Sequence, residues 1–176
     1  MDGVLADVYA RLFEVHEKET GIRLTAEEIA GKLEEEAFPC QRRWVSEPGF
    51  FRTLPVMEGS REVMEKLNAE YDIVVVSLAT EFPNSLTDKI MWLHDNFPFI
   101  SWKQIVFCGD KSLIRADILI DDHLKNLDNF PGKTYMFTQP LNLPVNDSRH
   151  VRVNSWDEIE KILSKPLDFE PYYDIF

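Results

Sequence analysis

The sequence predicts an α/β fold built on a mainly parallel sheet covered by helices on both faces. Two observations carry this expectation. Short apolar runs over residues 73–77, 104–108, 118–121 and 134–138, with a last one near 150–153, alternate with stretches of helical periodicity. That alternation is the pattern of repeated strand–helix units. The runs "IVVVS" and "ILIDD" are also continuous in hydropathy rather than alternating, as strands buried on both faces are.

Each element has a local reason. Val8, Leu12 and Val15 share a helical face, so residues 8–20 read as a helix that stops at Gly21. "TAEE" at 25–28 is a capping box in which Glu28 reaches back, and it predicts a second helix from Thr25. Over 38–55 the segment "FPCQRRWVSEPGFFRTLP" mixes prolines, aromatics and arginines without a period and reads as irregular. Ser60 opens a helix to about residue 69, and further helices are expected over 84–96 and, shorter, over 124–130. "SWDE" at 155–158 is a second capping box, opening a helix to about residue 164. The tail "KPLDFEPYYDIF" has no period and is expected to pack its aromatics back on the core.

Composition bounds the function. The 176 residues suit one main domain with a small insertion, and 44% hydrophobic residues suffice for a core. With 19 basic against 31 acidic residues the net charge is −12. Such a chain repels polyanions, which argues against a nucleic-acid polymer or an anionic membrane as partner. A small phosphorylated ligand stays open, because a bound cation reverses the sign locally. Cys40 and Cys108 form no CxxC pair and read as ordinary thiols in a reducing compartment. No apolar run approaches the ~18 residues that span a bilayer. The opening "MDGVLADVYAR" lacks a basic segment followed by an apolar one, so the expected location is cytoplasmic.

In parallel sheets ligands bind at the carboxyl ends of the strands, and the informative polar residues fall there. Asp121 and Asp122 follow "ILI" directly. Adjacent carboxylates at the mouth of a buried strand repel one another and lose hydration. Either they are solvated helix-capping acids, or a hard cation such as magnesium holds them. Ser77 ends "IVVVS" and Lys111 lies just past "IVFCGD". Singly, the serine suits a turn and the lysine a solvated surface. Together a hydroxyl and an ammonium can hold phosphate oxygens while paired acids hold the neutralising cation, as phosphoryl transfer requires. In "MDGVLAD", Gly3 permits a tight turn and Asp2 stands where an acid–base group would.

The succession of "DGVLAD", strand-Ser, "GDKS" and "LIDD" resembles the haloacid dehalogenase-like phosphatase superfamily, and within it the 5'(3')-deoxyribonucleotidases. "WVSE" at 44–47, "FF" followed by "LPVMEGS" at 50–60, and "GDKSLIRADILIDD" at 109–122 are similar to that family too. The resemblance implies a Rossmann-like core of residues 1–7 and 56–165, a small helical cap of residues 8–55, and a tail of residues 166–176. It implies a magnesium-dependent phosphomonoesterase of nucleoside monophosphates that works through an aspartyl-phosphate. Asp2 would protonate the leaving oxygen and then activate water, its backbone carbonyl touching magnesium. Ser77 would bind the phosphoryl group and Lys111 would bridge it to the nucleophile. Asp121 and Asp122 would hold the magnesium. Val8, Arg43, Trp44 and Val45 would face the base, while Phe50 and Phe51 read as cap core. Partners are a nucleoside monophosphate and, left open, a second copy in a homodimer.

Three departures qualify the match. The superfamily's first motif is Asp-x-Asp, and its nucleophilic first Asp would lie just before Met1, together with the apolar first strand. The chain of 176 residues is therefore expected to be catalytically crippled. "LATEFP" follows Ser77, and His123 stands where some relatives place arginine, so substrate preference is open. The alternatives are a nucleotide-binding pseudophosphatase with a regulatory role and a phosphatase for another small phosphate ester. A response-regulator receiver uses similar groups but places its acid pair first and its lysine last, the reverse of the order here.

Overall fold

The computed structural model describes residues 1–164. Residues 1–7 form a tight turn in which Asp2 bridges Ala6 and Ala6 bridges Val56. Helix α1 (Val8–Thr20) follows; the Asp7 side chain accepts from the Ala10 amide, and Gly21, at φ 72°, closes the last turn onto the Glu17 carbonyl. The helix expected from Thr25 does not form. Its capping box is made, with the Thr25 amide 2.8 Å from Glu28 Oε2 and the Glu28 amide 3.4 Å from Thr25 Oγ1, yet only turns follow over residues 26–31. Gly31 takes φ 79° and its amide bonds the Pro140 carbonyl, and Ile29 alone is a large buried apolar side chain there. Two capping bonds without an apolar stripe do not carry a helix.

Helices α2 (Glu34–Ala37) and α3 (Gln41–Ser46) come next, then one 3₁₀ turn (Phe51–Thr53). Helix α3 lies where the sequence shows no period, since six residues with two buried side chains, Trp44 and Val45, are too few to display one. Tyr9, Phe13, His16, Phe38 and Trp44 form a chain of edge-to-face and tilted ring contacts that joins α1, the end of α2 and α3.

The remaining elements alternate as expected: α4 (Ser60–Glu70), β1 (Val75–Ser77), α5 (Pro83–Asn96), β2 (Ile105–Phe107), β3 (Ile118–Asp121), α6 (Leu124–Leu127), β4 (Lys133–Phe137), β5 (Val151–Val153) and α7 (Trp156–Leu163). All the strand pairing is parallel, β1 with β2, β3 with β4, and β4 with β5. The sheet nevertheless comes in two pieces: among the described residues, no ladder joins β1 to β3. The expected packing of the tail falls outside the described residues.

The opening turn lies between these parts and bonds to each. The Met1 amino group donates to the Val76 carbonyl, Gln139 Nε2 donates to the Gly3 carbonyl, Trp156 Nε1 donates to the Val4 carbonyl, and the Asp7 amide donates to the Pro55 carbonyl. Trp156 is 1% exposed, so replacing it removes both core volume and this tie. Trp156→Ala should lower the unfolding free energy by about 3–5 kcal/mol. Trp156→Phe, which mainly strands the Val4 carbonyl, should cost about 1–3 kcal/mol. Urea denaturation of the two variants checks both figures.

Candidate active site

The site forms where the opening turn meets the carboxyl ends of β1 and β3. The turn supplies Asp2, the last residue of β1 supplies Ser77, and the loop after β2 supplies Lys111. The last residue of β3 and the residue after it supply Asp121 and Asp122. A further group comes from helix α5. Lys89 is 3% exposed, and its Nζ lies 2.6 Å from Asp2 Oδ2 and 3.0 Å from Ser77 Oγ. It also stands 4.1 Å from the centre of the Phe51 ring, whose face favours the cation. Sequence reasoning missed Lys89. The available signal was its place on the buried face of α5, with Ser85, Trp92 and Leu93, where a lysine is rare unless it has a partner.

Charge is compensated unevenly. Burial alone would raise the Asp2 carboxyl, but Lys89, the Met1 amino group and Lys111 hold it below the ordinary carboxylate value. Its Oδ1 is buried without a hydrogen-bond partner among the described residues. Asp121 is likewise opposed by burial and held low by Lys111, whose Nζ is 2.5 Å from Asp121 Oδ2. Asp121 Oδ1 accepts from the His123 amide at 3.0 Å and from Asn126 Nδ2 at 2.9 Å. Asp122 differs: burial first, with Asp121 and Glu34 adding, pushes it up to about 6 against the opposing pull of His123 and Lys111.

Gly3 makes room for that acid. It takes φ 69°, and a Cβ there would lie 2.2 Å from Asp122 Oδ2. On the other side, Asn142 Nδ2 donates to the Asp122 carbonyl at 2.9 Å and Arg152 fixes Asn142. His123 meets Glu34 of α2 at 3.3 Å, and the Tyr9 hydroxyl donates to the same carboxylate oxygen at 3.1 Å. Burial would lower His123, but the Glu34 hydrogen bond and the nearby acids push it up to about 9.

The structure thus brings Asp2, Ser77, Lys111, Asp121 and Asp122 to one edge. The residues expected to face the base are placed differently. Val8 and Val45 are buried. Trp44 is 2% exposed, with His16 and Phe38 against it at 6.3 and 6.4 Å between ring centres. Stacking of a base on an open Trp44 face therefore does not fit this packing. What Trp44 leaves unpartnered, among the described residues, is Nε1. Arg43 pairs with Glu19 at 2.5 Å, exposed to solvent and not directed at the acids.

Among the described residues around this edge, the ligand atoms gathered within 4.8 Å of one another are those of Glu34, Asp122 and His123, a set that shares only Asp122 with the expected one. The imidazolium form that Glu34 and the nearby acids favour in His123 offers no free lone pair to a metal. The acids still fit a hard cation: all offer oxygen, Asp122 is a buried carboxylate with incomplete compensation, and Asp2 Oδ1 lacks a partner.

A parallel α/β sheet whose acids, hydroxyl and ammonium groups meet at the strands' carboxyl edge, with a helical insertion above, is the architecture of the haloacid dehalogenase-like class. The chain belongs within that class to the deoxynucleotidase family. The family described as "5' nucleotidase, deoxy (Pyrimidine), cytosolic type C protein" matches residues 1–167. A Staphylococcus epidermidis protein named "Putative 5'(3')-deoxyribonucleotidase" is 39% identical over 164 residues, 91% of this chain and 90% of its own. A Staphylococcus aureus protein of the same name is 37% identical over 165 residues, 92% of this chain and 91% of its own. The Bacillus subtilis "5'(3')-deoxyribonucleotidase" is 45% identical over 113 residues, 64% of each chain.

Two glycines separate backbone strain from crowding. Gly21→Ala meets nothing within 4 Å and should cost about 1 kcal/mol, the price of a left-handed residue. Gly3→Ala adds the collision with Asp122 and should cost more than about 2 kcal/mol. Equal losses in urea denaturation would show that Asp122 yields freely. The His123 latch predicts a pH dependence. Its folded value of about 9 lies above the ordinary 6.5, so its contribution is complete below about pH 6.5 and is lost as pH rises through about 9. His123→Gln should flatten the fall in melting temperature across that window and leave the acid limb in place.

Proposed function

We propose that this chain is a magnesium-dependent phosphomonoesterase of deoxyribonucleoside monophosphates, working through an aspartyl-phosphate. The observation that carries the reading is the buried contact of Lys89 with both Asp2 and Ser77. It sets an ammonium and a hydroxyl where a phosphoryl group would be held, beside a carboxylate that would protonate the departing oxygen. The names of the relatives support hydrolysis of nucleotides, deoxyribonucleotides in particular, and their 5'(3') designation supports a phosphate at either position.

In this reading the nucleophilic aspartate of the family's first motif stands immediately before Met1. Its oxygen bonds to phosphorus as the ester P–O bond breaks, and Asp2 gives the departing sugar oxygen its proton. Water then attacks the phosphorus of the acyl phosphate and gives a proton to Asp2, releasing inorganic phosphate and restoring the aspartate. Asp2 is held ionised by its cations when phosphate is absent. A phosphate dianion seated against Lys89, Ser77 and Lys111 offsets those cations and lets Asp2 take up the proton it must donate. Asp121, Asp122 and the Asp2 carbonyl would hold magnesium, which when bound neutralises phosphate charge. Trp44 would serve the base through its Nε1–H rather than its ring face.

The test is phosphate release from dUMP or dTMP with magnesium, by the chain carrying an apolar run that ends in aspartate ahead of Met1. Release is expected there, and Lys89→Met should lower kcat by about 10²- to 10³-fold, the usual cost of one preorganised donor at developing charge. No release from any nucleotide in a panel would overturn the substrate assignment. A sugar phosphate as best substrate would redirect it.

A further inference from the structure

A second group of metal-ligating side chains lies at the amino ends of the strands, away from the acids of the carboxyl edge. Parallel pairing sets Tyr135 of β4 opposite Val151 of β5, so Thr134 and His150, each one residue earlier, meet where these strands begin. The Thr134 hydroxyl is 2.7 Å from His150 Nδ1. His150 is 6% exposed, and its other ring nitrogen, Nε2, lies 3.1 Å from Oδ1 of Asp128, the residue that ends α6. Asp147, in the loop between β4 and β5, completes the group. One ligand atom from each of Asp128, Asp147 and His150 falls within 4.8 Å of the others.

The geometry suits a small divalent ion. Zinc holds imidazole nitrogen and carboxylate oxygen at about 2.0–2.2 Å in a tetrahedron, which sets neighbouring ligand atoms about 3.4 Å apart. The 3.1 Å between His150 Nε2 and Asp128 Oδ1 is close to such an edge. With Nδ1–H donated to the Thr134 hydroxyl, the Nε2 lone pair is left for the metal, the usual outer contact of a ligating histidine. An imidazole beside two carboxylates favours zinc, whereas magnesium and calcium take oxygen ligands.

A cation already bridges the two acids. Arg149 Nη2 lies 2.7 Å from Asp128 Oδ1 and 2.6 Å from Asp147 Oδ2, and the Asp128 oxygen it holds is the one facing His150. Its Nε and backbone amide also bond Asp147. The arginine side chain is nevertheless 63% exposed, and ion pairs open to water are weak. A divalent ion therefore displaces a guanidinium that has solvent to swing into.

We propose that Asp128, Asp147 and His150 form a zinc site at which Arg149 is the competing cation. Zinc takes His150 Nε2 and one oxygen of each acid, with water in the fourth position. Once bound, it clasps the end of α6 to the start of β5. The proposal stands whatever reaction the acids at the opposite edge perform.

The test is a calorimetric titration of the chain of residues 1–176 with zinc chloride, in excess magnesium so that zinc does not simply fill the carboxyl edge. Thermal melts run alongside. One zinc per chain and a raised melting temperature are expected. Asp147→Asn should weaken zinc by at least about tenfold, since even an outer-shell partner is worth that much. Arg149→Gln should tighten it by about three- to tenfold, the worth of one or two exposed ion pairs. His150→Gln should abolish binding; if that buried variant does not fold, the two surface variants decide. Absence of zinc binding overturns the proposal. So does binding that Asp147→Asn leaves unchanged, which would put the ion elsewhere. Weaker binding by Arg149→Gln would also overturn it, making the guanidinium a brace of the loop rather than a competitor.

Discussion

Placing charge under cover in an acidic chain is the constraint around which this molecule is arranged. Asp2, Asp121 and Asp122 are drawn together at one edge of the sheet, where desolvation opposes the ionised form of each. Two buried ammonium groups answer the first two acids: Lys89 reaches Asp2 from α5 and Lys111 reaches Asp121 from the loop after β2. Breaking either pair would leave a buried charge uncompensated, which costs far more than the pair itself contributes. Asp122 lacks an equal partner, and of the three it is the acid that burial carries above the ordinary carboxylate value.

These partners can meet because the opening turn is tied to both sheet pieces and to the segment entering α4. Its backbone groups bond Val76, Gln139, Trp156 and Pro55, so Asp2 is held by contacts from a strand, a helix and two loops. Gly3 then brings backbone within van der Waals limits of Asp122, an approach closed to any side chain. Position in the turn and ionisation at the acids are therefore coupled. A shift of the turn changes the distance from Asp2 to Lys89 and the space left for Asp122 together.

How far the sequence revealed this differs by element. Strands and their order were legible because each is a continuous apolar run ended by a polar residue, and Ser77, Asp121 and Asp122 gain their meaning from ending such runs. Lys89 was not legible. A lysine in a helix ordinarily points to water, and only the register of α5 against Phe51 and Asp2 turns it inward. Trp44 erred the other way: an aromatic in an irregular segment suggests an open stacking face, whereas the short α3 turns it into the cluster of His16 and Phe38. At Thr25 the capping signal was genuine, but a cap selects where a helix begins and cannot supply the buried stripe that sustains it.

Helices α1 and α2 meet the carboxyl end of β3 through charge. Glu34 of α2 accepts from Tyr9 of α1 and pairs with His123, immediately beyond Asp122. Burial opposes the ionised forms of both Glu34 and His123, and each is held charged chiefly by the other. An ion pair of this kind contributes less to net stability than to orientation, since the gain from pairing is set against desolvation of both members. It fixes α2 over the mouth of β3. It also puts a positive imidazolium beside the acid that most lacks compensation, so the position of α2 and the charge of the acid pair are parts of one electrostatic arrangement.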